Sequence, residues 1–245
     1  MNTITVVELF DAAEKILDDL QTLIISSRPA SFGANRIRAG LVFTIAEQFE
    51  AKLALIKINL STHASAHLRS MIEALVAIKM LEDNIIYVDQ MKYEERRGAR
   101  RFYKGLIADE NIDEVLKAPI RHSLEKCEAD CDALKAAGLK PKKISDDFGA
   151  AGLPDLVAPY SMLCDFSHNG LAAILFRHDR DFNMVFRPDN SPIFVEAIIQ
   201  TGLRVLMETT KKFGEIAIFP DGKFDVVFSS MQDKWTDVIE KRVSG

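Results

Sequence analysis

Apolar residues recur at intervals of three and four along most of this 245-residue chain. This spacing gives an α-helix one continuous apolar face, whereas a half-buried strand alternates at every second residue. Glycine and proline, the residues that most often interrupt helices, number only twelve and eight. The pattern therefore predicts an all-α fold, a multi-helix, up-and-down-like bundle that leaves room for one short β-hairpin.

Caps and helix breakers divide this pattern into separate expected helices. Ser27-Arg28-Pro29 ends the first one, Gly138 is suited to end the fifth, and Ser191-Pro192 is a typical helix start. The expected helices span residues 5–26, 36–59, 62–83, 85–108, 112–137, 154–166, 170–176, 193–213 and 226–241. Residues 182–187 alternate as a short strand does. The third helix is the most apolar, so we expect it to be the most buried.

One linker stands out in the chain. Residues 138–143 are basic and contain Pro141, which breaks helical structure. We expect a single helical domain over residues 1–245, with a core bundle at about 1–137, a linker at 138–145, and helices and the hairpin at 146–245.

Charge and cysteine content limit the compartment and the partners. The formal net charge of −5 argues against a protein dominated by binding to phosphate backbones, although it allows a local basic patch. The N-terminal stretch carries acids where a signal peptide would be basic and then apolar, and no long uncharged apolar stretch occurs. Three cysteines form an odd set that suits reduced thiols. We therefore expect a cytoplasmic protein with no membrane partner.

The third expected helix carries one pair of opposite charges among apolar residues. Arg69 and Glu73 are four residues apart, so their side chains lie on one face, beside Val76 and Met80. We expect this pair to be in contact and partly buried, so that removing one partner costs on the order of 3 kcal/mol. Two interpretations stand: a structural ion pair that ties helices together, or a site that faces a cleft.

Residues 160–170 form a second polar cluster in an otherwise apolar stretch. A helix that ends near Phe166, with Ser167 capping the next helix, would put His168 at a helix N-terminus. There the helix dipole favours a neutral imidazole that can accept a proton. His168 can equally be a structural residue held by hydrogen bonds.

The two clusters are expected to meet. Arg69 and Glu73 need polar company from another segment, because helix three is nearly apolar on its other sides. We therefore expect His168 to approach them across the bundle, and the three residues to line a polar cleft. The side chains expected to bind a ligand around it are Tyr160, Asp165 and Ser167.

These residues also carry a resemblance. The R-S-x-x-E-A segment that begins at Arg69 and the Y-x-x-L … S-H segment from Tyr160 to His168 resemble an uncharacterised bacterial family of helical bundles, a domain of unknown function. The likeness spans residues 60–176 and rests on Arg69, Glu73, Tyr160, Ser167 and His168. It implies an α-helical fold and a bacterial cytosolic context, and it brings no established reaction.

The fourth expected helix has a basic ridge, formed by Lys92, Arg96, Arg100 and Lys104 at strict four-residue spacing. The ridge is either a solvated helix face or a phosphate-binding surface for a nucleotide or nucleic acid, since binding responds to the local field. His63 and His67 share a helix face but have no evident third ligand, so we predict no metal site and no cofactor.

Several enzyme classes lack their motifs. No phosphate-binding glycine loop and no nucleophile elbow occur, and none of the five histidines follows an arginine at the short spacing that HEPN-type ribonucleases use on one helix. We therefore expect a helical binding or interaction protein, with homo-oligomers allowed. The alternative is a hydrolase of phosphodiesters or nucleotides, with His168 as general base, Arg69 as phosphate clamp and Glu73 orienting Arg69.

Overall fold

The computed structural model describes residues 5–84 and 86–243. The α-helices in these residues are α1 Val6–Ser26, α2 Gly33–Lys57, α3 Ser61–Asp83, α4 Tyr87–Ala108, α5 Glu114–Ala136, α6 Val157–Ser167, α7 Leu171–His178, α8 Pro192–Gly214 and α9 Lys223–Val243. The strands are β1 Arg28–Pro29, β2 Asp179–Arg180, β3 Asn183–Met184 and β4 Ala217–Ile218. Short 3-10 helices occur at Ile144–Asp146 and Pro154–Leu156.

This architecture confirms the all-α fold. About three quarters of the described residues are helical. The helices follow the expected ones in order, and their ends differ from the expected ends by at most three residues. At least 13 of the 23 residues of α3 are buried, against 12 of the 23 residues of α8. Of these two long helices, α3 is therefore the more buried, in agreement with the prediction from its sequence.

The N-terminus of α1 is fixed by a capping box. The Thr5 hydroxyl accepts a hydrogen bond from the Glu8 N–H at 3.2 Å, and the Glu8 carboxylate accepts one from the Thr5 N–H at 2.8 Å. The two residues thus satisfy each other's free backbone donors. At the other end, Ser27 is extended and begins the approach to β1.

Two small antiparallel sheets connect the helices. Strands β2 and β3 form the one short hairpin that the sequence allows, and its two turn residues, Asp181 and Phe182, both have positive φ angles of 52° and 65°. Positive φ at both positions matches the right-handed twist of a tight hairpin. In the second sheet, Arg28 of β1 pairs with Ile218 of β4. This second sheet was not among the elements expected from the sequence.

The chain forms two compact units. Unit 1 contains the described residues of Met1–Lys79 and Phe148–Gly245, and unit 2 comprises Met80–Asp147. Within unit 1, α1 packs against α2, α8 and α9, and α8 also packs against α2 and α9. Among the described residues of unit 1, Arg38 and Lys52 are buried cations, and the Lys52 side chain is fully buried where α2 faces α8.

Unit 2 is built on the pair α4 and α5, which pack along each other. The Cys127 thiol of α5 donates a hydrogen bond to the Arg96 carbonyl of α4 at 3.0 Å. The Tyr87 hydroxyl donates to the buried Asp147 carboxylate at 2.9 Å. Residues 138–143 are non-helical, and Gly138 has the positive φ of 94° that suits a residue just after a helix end.

No helix in the described part of the chain has the length and the apolar composition that crossing a membrane needs.

Candidate functional site

The centre of the candidate site is the ion pair on α3. The Arg69 Nη2 atom lies 3.0 Å from Glu73 Oε1, as the four-residue spacing predicts. The side chains are 26% and 36% exposed, so the pair is half-buried at the edge of unit 1. A pair in this position can hold a fixed geometry and still meet a ligand from solvent.

Tyr160 of α6 supports this pair from the buried side. Its hydroxyl donates a hydrogen bond to Glu73 Oε1 at 2.7 Å, and its ring centroid lies 5.6 Å from the Arg69 guanidinium carbon, within cation–π range. Burial first, and then the hydrogen bond to Glu73, raise the pKa of the Tyr160 hydroxyl. Tyr160 therefore remains a protonated donor at neutral pH and holds the Glu73 carboxylate in place.

Arg69 remains a cation in this environment. Burial lowers the pKa of the Arg69 guanidinium, but the Tyr160 hydroxyl and the Glu73 carboxylate together raise it above its ordinary value. Its Nε atom is buried and has no hydrogen-bond partner among the described residues. The guanidinium is thus anchored through Nη2, while its Nη1 atom points to another residue.

That residue is His168, which is exposed and lies beyond the last turn of α6. Its Nε2 atom is 3.4 Å from Arg69 Nη1. Arginine has only N–H donors, so a hydrogen bond in this contact needs a neutral imidazole with the lone pair on Nε2 and the proton on Nδ1. The structure thus brings Arg69, Glu73, Tyr160 and His168 together, as the sequence analysis expects.

The expected position of His168 at a helix N-terminus is wrong. His168 is the C-terminal cap of α6, where its N–H donates to the Cys164 carbonyl at 3.0 Å, and the cap that precedes α7 is Gly170. The reason is a Schellman-type ending in which Asn169 has a φ of 53° and the Gly170 N–H donates to the Asp165 carbonyl at 2.9 Å. A helix dipole is negative at this end, so the dipole argument made for a helix N-terminus does not apply to His168.

Two expected ligand-binding residues take other positions. The Ser167 hydroxyl donates to the Leu163 carbonyl at 2.9 Å inside α6, and so it does not cap α7. Asp165 is exposed on α6 and contributes its backbone carbonyl to the helix ending. Among the described residues, neither side chain forms a hydrogen bond with Arg69, Glu73 or His168.

Cys164, a half-buried free thiol, is a further member of the site that was not among the expected residues. It lies close enough to influence the charges of both Arg69 and Tyr160. Its position could have been found from the helical spacing, because Cys164 is one turn after Tyr160 and one turn before His168. All three therefore share the face of α6 that meets the ion pair.

The basic ridge belongs to unit 2 and is largely neutralised there. Lys92 Nζ lies 2.9 Å from an Asp89 oxygen, Arg96 Nε lies 3.1 Å from an Asp130 oxygen, and Lys104 Nζ lies 2.8 Å from a Glu128 oxygen. The carboxylates at 128 and 130 come from α5, which sequence reasoning on α4 alone does not include. Arg100 has no such partner in the part of the chain that the structure describes. This pairing favours the interpretation of the ridge as a solvated helix face over that of a phosphate-binding surface.

Metal binding has no evident basis in the described residues. They contain no group of three His, Cys, Asp or Glu side chains placed to hold an ion. His67 instead contacts Gln48 of α2, with 2.5 Å between Nδ1 and Oε1.

Comparison with known proteins gives one family. The sequence model of a family described as "Family of unknown function (DUF5677)" matches residues 36–184. No curated protein and no solved structure matches the chain. The matched stretch covers more than half of the chain and contains Arg69, Glu73, Tyr160 and His168.

Proposed function

The chain belongs to DUF5677, a family of unknown function, so its activity has to be inferred from its own residues, and we propose that the Arg69–His168 pair binds the phosphate group of a ligand. The observation that carries this proposal is the contact of 3.4 Å between Arg69 Nη1 and His168 Nε2 on the exposed side of a guanidinium that Glu73 anchors.

The two sides of the Arg69 guanidinium are unequal. Nη2 meets a carboxylate at 3.0 Å, whereas Nη1 meets the Nε2 atom of His168 near the outer limit of hydrogen-bond distance. A phosphate oxygen is a stronger acceptor for a guanidinium than an imidazole is, because both partners are charged. An incoming phosphate therefore gains the Nη1 donor at little loss, and a His168 ring that takes up a proton adds a second donor.

Glu73 and Tyr160 hold the Arg69 guanidinium in one orientation, which makes the proposed site selective for its ligand. Their hydrogen bond fixes the carboxylate, and the carboxylate fixes the orientation of the guanidinium before a ligand arrives. Fixed donors do not have to be ordered on binding, which lowers the entropic penalty. The Glu73 charge also offsets that of Arg69, so a single phosphate rather than a long polyanion suits the site.

A second candidate function is hydrolysis of a phosphodiester, and the same contact favours it. In this reaction the lone pair of His168 removes a proton from a water molecule as the water oxygen bonds to phosphorus. The bond to the leaving alcohol breaks, and the alcohol oxygen takes up the proton that His168 then gives back. Arg69 stabilises the negative charge that develops on the phosphoryl oxygens, with Glu73 orienting it. His168 is exposed, as a residue that must reach substrate and water has to be.

The test uses the dinucleotide ApA, which carries one phosphodiester. Calorimetric titration is expected to show binding to the wild-type protein, and at least tenfold weaker binding to His168→Ala and to Arg69→Gln. His122→Ala, which removes an exposed histidine of α5, is the matched control and should bind like wild type. The melting temperature of His168→Ala should stay close to that of wild type, since the polar contact that its ring makes within the described residues is long, at 3.4 Å from Arg69.

Chromatography of the same mixtures separates the two functions. Unchanged ApA after long incubation supports binding alone, and release of adenosine and AMP that stops in His168→Ala supports hydrolysis. Equal affinity of wild type and His168→Ala, or no binding to wild type, contradicts the proposal.

A further inference from the structure

A separate cavity of about 290 Å³ lies within unit 1. The start of α3, the end of α7 and the loop after β3 form its walls. Its lining residues are Asn59, Leu60, Thr62, His63, Arg177, His178, Phe186, Arg187, Pro188 and Asn190. The side chain of Asn190 donates a hydrogen bond to that of Asn59, which ties the loop to the turn before α3.

The lining is basic. It contains His63, Arg177, His178 and Arg187, and no aspartate or glutamate belongs to it. Burial first, and then the positive charges of the other three, lower the pKa of the His63 imidazole, so these groups are close enough to repel one another. The two guanidinium groups, with no carboxylate in the lining, create a local positive field despite the net negative charge of the chain.

Arg177 is a half-buried cation of this lining. Its Nη1 and Nη2 atoms donate to the Asn169 side chain at 2.8 Å and to the Phe166 carbonyl at 2.7 Å, and both acceptors are neutral. Its Nε atom is buried and has no hydrogen-bond partner among the described residues. These contacts hold the guanidinium in place without neutralising it.

A held histidine and a helix start complete the polar lining. The Val185 carbonyl accepts a hydrogen bond from His178 Nδ1 at 3.2 Å, which fixes the orientation of this ring in the cavity wall. Thr62 and His63 lie in the first turn of the 23-residue helix α3, where backbone N–H groups and the helix dipole favour an anion. Charge, side-chain donors and a helix start thus converge on one cavity.

The rest of the lining is apolar. Phe186 is 86% exposed and offers a free aromatic face, next to Leu60 and Pro188. Aromatic side chains stack on nucleobases with little preference for sequence. The cavity is at the small end of ligand pockets, a size that suits one phosphate together with one flat ring system.

We infer that this cavity binds a nucleotide-sized phosphate ester, with the phosphate between His63, Arg177 and Arg187 and the base against Phe186. The inference does not depend on the function proposed for Arg69 and His168, because it rests on different residues. Variants of the two sites therefore report on the two proposals separately.

The test is calorimetric titration of the full chain with AMP, adenosine and inorganic phosphate. AMP is expected to bind most tightly, and Arg187→Gln or His63→Gln should each weaken it at least tenfold. Phe186→Ala should weaken AMP several-fold and leave inorganic phosphate unchanged. Arg36→Gln, which removes an exposed charge on α2, is the matched control and should behave like wild type.

Three results would overturn the inference. One is no AMP binding to wild type, and another is AMP binding that Arg187→Gln and His63→Gln leave unchanged. The third is equal affinity for AMP and inorganic phosphate, which contradicts a site for the base. Circular dichroism spectra of the variants show whether a lost affinity reflects the site or a loss of folding.

Discussion

Replacing the buried Lys52 with methionine is expected to stabilise the protein at neutral pH. Lys52 is 0% exposed, its Nζ atom lies 3.2 Å from the Ile198 carbonyl, and no other oxygen partner occurs among the described residues. An ammonium group has three donors, and unpaired buried donors cost on the order of 1–3 kcal/mol. Methionine has a similar shape without these donors, so the free energy of unfolding should rise by about 1–3 kcal/mol.

Gly202 of α8 gives this prediction a second part. A methyl group on Gly202 would overlap Lys52 Nζ and would lie 3.1 Å from both Lys52 Cε and Phe49 Cε2. Gly202→Ala in the wild-type protein is therefore expected to destabilise by about 1–3 kcal/mol through overpacking. With Lys52→Met the overlapping atom is absent, and the helical preference for alanine, about 0.5–1 kcal/mol, should offset the remaining tight contacts.

The assay is urea unfolding of wild type, both single variants and the double variant, followed by circular dichroism. Gly40→Ala is the matched control, because Gly40 is exposed within α2 and open space surrounds the position of its added methyl group. It should stabilise by about 0.5–1 kcal/mol with or without Lys52→Met. The coupling between Lys52→Met and Gly202→Ala should reach about 1–3 kcal/mol.

The same variants predict a pH dependence. Burial lowers the pKa of Lys52 well below its ordinary value of 10.5, so the folded protein releases this proton at a lower pH than the unfolded chain does. Between the two pKa values the unfolded state binds more protons than the folded state. The free-energy cost of burying Lys52 therefore decreases as the pH rises towards the ordinary pKa of lysine. The advantage of Lys52→Met should therefore shrink between about pH 7 and about pH 9.5. A destabilised Lys52→Met, or additive effects of the two substitutions, would refute the reasoning.

Three further outcomes follow from the hydrogen bonds described above. Tyr160→Phe should lower the free energy of unfolding by about 1–2 kcal/mol in urea, because it removes the hydrogen bond to Glu73, and unchanged stability would contradict that role. Glu73→Gln should lower the free energy of unfolding by about 1–2 kcal/mol, less than the sequence alone suggests, because solvent screens an ion pair whose side chains are 26% and 36% exposed. A loss of about 3 kcal/mol or more would contradict this screening and would mean that the pair is shielded from water. Burial raises the pKa of Tyr87 and Tyr160, so neither residue should contribute phenolate absorbance as the pH passes about 10, and the stability that these phenols contribute should be lost only above that pH. Phenolate absorbance from either residue at a lower pH would contradict its burial.

The parts of the site that follow from helical spacing could be predicted from the sequence. Arg69 and Glu73 meet because residues four apart lie one above the other on any helix. The approach of His168 to Arg69 follows from the cost of leaving charges beside a core without polar partners. Local geometry and desolvation are general rules, and a single sequence contains what they need.

Other features depend on residues far apart in the chain. Whether Ser167 caps a helix depends on where α6 ends, and a left-handed Asn169 decides that end. The acidic residues of α5 pair with Arg96 and Lys104 of the basic ridge. Strand β1 pairs with β4, which lies near the other end of the sequence. The apolar periodicity of a helix does not encode its partner, so these contacts could not be predicted.

The pairing of β1 with β4 has a consequence for how the protein is made. Arg28 pairs with Ile218, and α1 packs against α8 and α9. Unit 1 is thus built from segments that precede and follow unit 2 in the sequence. A ribosome adds about 5–20 residues per second, so α1 and α2 wait on the order of ten seconds for their partners. During that interval their apolar faces are open to holding chaperones and to neighbouring nascent chains. Unit 2 has no such delay, because α4 and α5 follow each other directly and can pair as they emerge.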